Sequence, residues 1–260
     1  MYNAVPMQST CAVIASLLQV EAPANAYAPC DLILDYVAKR LDRVERVVMY
    51  NPDAVAHHMW QKYPELYTPV MDLSPLPIPI CTVMPSVTPV CFASMYTGVS
   101  PEVHGIRKYE KPVLTCDTIF DSCIRAGKKC AIVSTANDSI SMIFLNRDMD
   151  YYIYPTMDEV NAKAHELIAE DSYDLLVIYN ANFDSIMHRY GPESPEALAA
   201  LDQNCKEYAV LADLIGKTGR KTVLAFAPDH GCHEIDGSAG SHGLDMEEDL
   251  NVLHFWKCIG

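Results

Sequence analysis

The chain has 260 residues, half of them hydrophobic, and a formal net charge of −15 at pH 7. That is enough apolar material for one sizeable core. The acidic balance argues against a nucleic-acid polymer as partner, since phosphate backbones need a basic face, and no apolar run is long enough to read as a membrane span.

In chain order, "CAVIASLLQV" (11–20) follows Ser9 and Thr10 with no basic residue ahead of it. It reads as a capped helix in an N-terminal helical segment at about 8–43, not as a signal peptide. "ERVVMY" (45–50) reads as a buried strand, and the Pro-rich stretch 72–89 as loop around a short strand at 79–83. "VTPVCFASMYTG" then predicts a helix with Thr88 as N-cap, Pro89 in the first turn and Gly98 as terminator. Further helices are expected at 116–127, 157–170 and 194–216, alternating with strands "KCAIVST" (129–135), "DLLVIY" (174–179) and "KTVLAFA" (221–227).

Alternation of helices with near-continuous apolar strands predicts an α/β fold: a three-layer αβα sandwich around a mostly parallel sheet. With no repeat or linker, residues 1–260 read as one domain. The ten cysteines are scattered singly without a CxxC pair, which suggests free thiols in a reducing, cytoplasmic setting.

Ligands of open α/β sheets bind beyond the carboxyl ends of the strands. Asp53 follows the first long strand; Pro85, Ser86 and Thr88 follow the strand at 79–83. "NANFDSIMH", with Asp184 and His188, follows the strand at 174–179, and Asp229, His230 and His242 follow the last. Four strand ends thus bring three carboxylates, a hydroxyl and three imidazoles to one edge. Asp184 and His188, four apart, share a face if their segment is helical. Taken singly, such a pair is an ordinary surface contact; together, six groups of ligand type could fill two adjacent sites of about four donors each. A helix N-terminus at Thr88 also suits a phosphate.

"MPSVTPVCFASMYTGVSPEVHGI" (84–106) resembles the nucleophile segment of the alkaline phosphatase superfamily, most closely its nucleotide pyrophosphatase/phosphodiesterase and phosphonoacetate hydrolase branches. "FDSIMHRYGPES" (183–194), "PDHG" and "SHG" resemble its later metal motifs. The resemblance implies an alkaline phosphatase-like core and two divalent ions, zinc with manganese as the alternative. Asp184, His188 and His242 would hold one ion; Asp53, Asp229 and His230 would hold the other beside Thr88. Thr88 would attack a phosphodiester or nucleotide pyrophosphate and pass through a phosphothreonine intermediate.

Three departures bear on specificity. The superfamily has Asp-Gly where this chain has Asp53-Ala54, so the loop could run differently. Diesterase relatives carry an Asn after the His-Gly-Ile segment, where this chain offers Arg107, Lys108 or Tyr109. "TANDSIS" (135–141) replaces the Lys pair of phosphonoacetate hydrolase, which leaves Asn137 as a substrate-binding candidate and argues against phosphonoacetate. His57 and His58 read as a helix surface pair, His104 as structural, and His233 and Glu234 as lining the site. The expected partner is a small phosphorylated molecule. Alternatives are a phosphomonoesterase, phosphomutase or phosphonate hydrolase on the same ions, or a metal-binding protein without turnover.

Overall fold

In the computed structural model, which describes residues 1–237 and 239–260, the strands in chain order are β1 (Val5–Pro6), β2 (Arg46–Pro52), β3 (Pro77–Cys81), β4 (Cys130–Thr135), β5 (Asp150–Tyr154), β6 (Leu175–Asn180), β7 (Thr222–Phe226), β8 (His233–Ile235), β9 (Ala239–Ser241) and β10 (Asn251–Ile259). Of these, β2, β3, β4, β6 and β7 are the five apolar runs expected as strands. Eight form one sheet in the order β1-β3-β10-β7-β2-β6-β4-β5, while β8 and β9 pair separately and antiparallel. Within the large sheet only β10 runs antiparallel, against β3 on one side and β7 on the other.

The strands read as continuous apolar runs because both faces are covered. Val47 and Met49 of β2 join one core cluster with the helices Ser9–Leu18, Thr88–Thr97 and Ile119–Arg125. Val48 and Tyr50, one residue out of step, join a second with the helices Met157–Glu170 and Pro195–Gly216. β6 and β7 split in the same way: Val177 and Ala225 face one layer, Ile178 and Phe226 the other. This two-residue alternation between two cores is the three-layer αβα sandwich.

Two helix starts differ from expectation. Gln8, not Ser9 or Thr10, precedes the first helix, and Ser9 lies within it, its hydroxyl donating to the Pro6 carbonyl at 2.7 Å. Residues 8–43 hold two helices, Ser9–Leu18 and Asp31–Ala38, joined by a non-helical stretch. Thr88 is likewise not the cap. Val87 takes that position in extended backbone, Thr88 is the first helical residue, and no side chain caps the turn. The Thr88 hydroxyl is therefore free of the helix backbone. The helix ends at Gly98, as expected.

β2, β6 and β7 are parallel neighbours, and two antiparallel steps through β10 give β3 the same direction. The residues after all four strands consequently meet at one edge. β10 begins at that edge, so the residues before it lie there too.

Candidate metal and phosphoryl-transfer site

At this edge, Asp184, His188 and His242 each place a ligand-type atom within 4.8 Å of the other two, and Asp53, Asp229 and His230 do the same. These are the two triads implied by the motifs. Asp184 and His188 lie on the helix Asn182–Tyr190 with Oδ1 and Nε2 3.2 Å apart. His242 Nε2 is 3.5 Å from the same oxygen and 3.2 Å from His188 Nε2. In the other triad, His230 Nε2 is 3.3 Å from Asp53 Oδ1 and 3.4 Å from Asp229 Oδ2. The His230 and His242 rings stack at 4.0 Å, so the triads adjoin.

Asp53 keeps its place despite Ala54. Ala54 takes a left-handed backbone, φ 62°, the conformation a glycine would adopt freely. Its N–H donates to Asp229 Oδ1 at 3.3 Å, tying the turn to the second triad. Gly240 has a different task. A Cβ there would meet Met187 Sδ at 2.6 Å, so only glycine lets β9 approach the helix and offer its carbonyl to His188.

All three imidazoles share one arrangement. His188 Nδ1 lies 2.9 Å from the Gly240 carbonyl, His230 Nδ1 2.9 Å from that of Gly231, and His242 Nδ1 2.9 Å from that of Ser86. A carbonyl can only accept, so each Nδ1 carries a proton and each Nε2 is left facing the triads. Asp53 Oδ1, Asp184 Oδ1 and Asp229 Oδ2 are buried and accept no hydrogen bond among the described residues. Ring nitrogens and carboxylate oxygens converging in this way could hold metal ions. The donor set, nitrogen and oxygen with three ligands per triad, fits zinc with a position left open.

The buried groups of the two triads shift one another's protonation. Burial, aided by the Asp184 charge, pushes the Asp53 carboxyl up to about 7. Burial and the Asp53 charge raise Asp229 well above the carboxylate range. Burial also acts to raise Asp184, but His188 and His242 outweigh it and hold that carboxyl well below its usual value. The neighbouring Asp184 carboxylate lifts His188 to about 9, while burial, with His242 alongside, holds His230 well down. For His242 the burial effect is downward, but Asp184 wins and the net shift is upward.

Thr88 Oγ1 lies 3.2 Å from His230 Nε2 and 3.4 Å from Asp53 Oδ2. Tyr179, at the end of β6, donates its hydroxyl to the same Asp53 oxygen. A cavity of about 380 Å³ opens over this edge, lined among others by Asp53, Thr88, Asp184, His188 and His242. Of the substrate-binding candidates only Tyr109 lines it. Arg107 donates to the Glu102 carbonyl at 3.2 Å, Lys108 pairs with Glu110 at 3.4 Å, and Asn137 contributes its carbonyl to Lys111 at 2.7 Å. Lys111 and Asp138, which were not anticipated, line the wall with Tyr109. Lys111 was missed because side-chain direction in a loop follows no period; its position two residues beyond Tyr109 was the available signal. His104 is structural, its Nε2 2.9 Å from Ser94 Oγ. His57, His58, His233 and Glu234 do not line this cavity.

Residues 131–253 match the type I phosphodiesterase / nucleotide pyrophosphatase family, a span that includes Asp184 to His242 but neither Asp53 nor Thr88. Over 182 residues the chain is 26% identical to the catalytic subunit of human GPI ethanolamine phosphate transferase 2, covering 65% of this chain and 18% of that protein. In structure it is similar to murine ectonucleotide pyrophosphatase / phosphodiesterase 5 (TM-score 0.58, 16% identity, 74% of this chain and 58% of that one). An inactive threonine-to-alanine variant of the murine protein is known in complex with AMP. Phosphonoacetate hydrolase from Sinorhizobium meliloti 1021, in complex with phosphonoformate, is also similar (TM-score 0.56, 19% identity, 76% and 59%). The chain thus spans about a fifth of the human transferase and less than two thirds of each structure. The motifs and the match over 131–253 thus make this chain similar to the type I phosphodiesterase / nucleotide pyrophosphatase family, and its fold is alkaline phosphatase-like.

Proposed function

We propose that the protein is a two-metal hydrolase of phosphate esters, acting on phosphodiesters or nucleotide pyrophosphates with Thr88 as nucleophile. The observation that carries this reading is the Thr88 hydroxyl, uncommitted to its helix and set against Asp53 and His230 on the wall of the cavity that Asp53 lines with Asp184, His188 and His242. Asp184, His188 and His242 would hold one ion; Asp53, Asp229 and His230 the other. Bound there, the ions would supply the positive charge that acidifies the Thr88 hydroxyl and neutralises phosphoryl oxygens.

The chain's own residues account for the remainder. Thr88 Oγ1 attacks phosphorus, the Thr–O–P bond forms as the bond to the leaving oxygen breaks, and water then cleaves the phosphothreonine. Tyr179 fixes Asp53 Oδ2 by its hydrogen bond and so leaves Oδ1 for the ion. The Nδ1–H bonds to Gly240, Gly231 and Ser86 orient the imidazoles before substrate arrives. The inactivity of the murine relative's threonine-to-alanine variant fits a threonine nucleophile.

The match to the human transferase supports a second reading, in which an alcohol replaces water as final acceptor. Chromogenic phosphodiesters, phosphomonoesters, sulfate esters and phosphonoacetate, assayed with zinc and with manganese, test the proposal. Diesters should be turned over fastest and phosphonoacetate poorly; no turnover of any phosphoester with either metal would refute it. Added alcohols separate the two readings, since a transferase forms a new ester where a hydrolase releases the acid.

A further inference from the structure

Between His230 and His242 the chain leaves the sheet, forms β8 and β9, and returns. One residue outside that stretch ties it down at three points. Asp249, fully buried just before β10, accepts from His233 Nδ1 through Oδ1 at 2.7 Å and from the Leu244 N–H through Oδ2 at 2.8 Å. Its own carbonyl accepts from the Gly231 N–H at 2.8 Å. Approach is close enough that a Cβ on Gly231 would lie 1.9 Å from the Glu248 carbonyl oxygen.

We propose that Asp249 is a positioning residue for His242: its carboxylate, bonded on one oxygen to His233 and on the other to Leu244, closes the 231–244 segment and fixes where His242 presents Nε2. This rests on the reading of Asp184, His188 and His242 as an ion-binding triad. Burying a carboxylate is costly unless strong hydrogen bonds compensate. Both oxygens of Asp249 are so engaged, and both partners lie on the segment that carries His242. The ring is otherwise held by the bond from Nδ1 to the Ser86 carbonyl and by stacking on the His230 ring at 4.0 Å, and neither contact holds the backbone of the segment that carries it. His230 is anchored by its own Nδ1 bond to the Gly231 carbonyl and by full burial, and Gly231 in turn bonds only the Asp249 backbone carbonyl, which a side-chain substitution retains. Loss of the Asp249 carboxylate should therefore weaken one triad and spare the other.

The test is a calorimetric titration of the metal-free protein with Mn²⁺ and then Zn²⁺, which requires no substrate. Wild type should bind two ions. Asp249→Asn, which loses one charge-assisted bond, should weaken the ion at Asp184/His188/His242 about 10- to 100-fold, the usual cost of losing a group that orients a ligand. Affinity at Asp53/Asp229/His230 should change much less. His233→Leu should reproduce the selective loss, and His233→Gln, which retains a side-chain donor, should recover part of it. Equal weakening of both sites with a lowered Tm would reduce Asp249 to a structural role and overturn the proposal. Unchanged affinity at both sites would overturn it as well. A wild type that binds no ion would overturn the metal reading itself, and Asp249's role with it.

Discussion

Replacing Thr88 by alanine separates chemistry from structure, because the hydroxyl contributes little to the fold. The side chain is 4% exposed, and its two polar contacts are long, 3.2 and 3.4 Å. Losing them costs about 1 kcal/mol net, and removing the buried methyl costs about another 0.8 kcal/mol. No capping bond is lost, since Thr88 makes none. The sum, about 2 kcal/mol, corresponds to roughly 4–8 °C in Tm for a chain of this size. Turnover should fall far more, by about a thousandfold or greater, as is typical when a nucleophile is removed. The assay pairs release of a chromogenic phenol from a diester with calorimetric Tm and metal content of the same preparations. Thr88→Ser should retain measurable turnover, its primary hydroxyl attacking from the same position. If Thr88→Ala kept a tenth or more of wild-type turnover with both ions bound, water would be the attacking group and the covalent mechanism would be wrong.

Ala54→Gly should leave metal content unchanged and Tm equal or slightly higher, because the left-handed φ of 62° costs alanine about 1–2 kcal/mol, more than glycine's extra entropy in the unfolded chain; a calorimetric loss above 5 °C, several times the expected change, would contradict this. Lys111→Ala should raise KM about tenfold with little change in Tm, whereas Arg107→Ala should not, since only Lys111 lines the cavity; equal effects in steady-state kinetics would show the wall to be misassigned. Burial lowers His254 to about 4 from its ordinary 6.5. The unfolded chain therefore binds the extra proton first, and stability contributed by the neutral ring is lost as pH falls from about 6.5 to 4, by up to about 3 kcal/mol. His254→Gln should flatten the dependence of the urea midpoint on pH across that window in chelator, and an unchanged slope would refute it.

The strands flanking the site were legible because both their faces are buried, so that runs such as "DLLVIY" need no partner to be recognised. The helix Met157–Glu170 was equally plain and carries a capping box between Thr156 and Glu159. β5 was harder: it is an edge strand, part-exposed along its length, and "DYYIY" has no buried run to announce it. The direction of β10 depends on its partners β3 and β7, which are distant in sequence. Among site residues, the two triads were readable from ordered motifs, each fixed by a strand end. Tyr179 and Asp249 were not, because each acts through a bond to a residue more than ten positions away. Ser9 and Thr88 misled for one reason: hydroxyls before apolar runs resemble caps, yet Ser9 bonds the Pro6 carbonyl and Thr88 faces the triads.

The central claim is that six side chains form two adjacent ion sites, and metal stoichiometry by mass spectrometry, after stripping with chelator and reconstitution, addresses it most directly. The account predicts two ions per chain, falling to about one in His242→Ala, with the survivor retained at Asp53, Asp229 and His230. A reconstituted wild type that held one ion or none, or a His242→Ala variant that still held two, would contradict it.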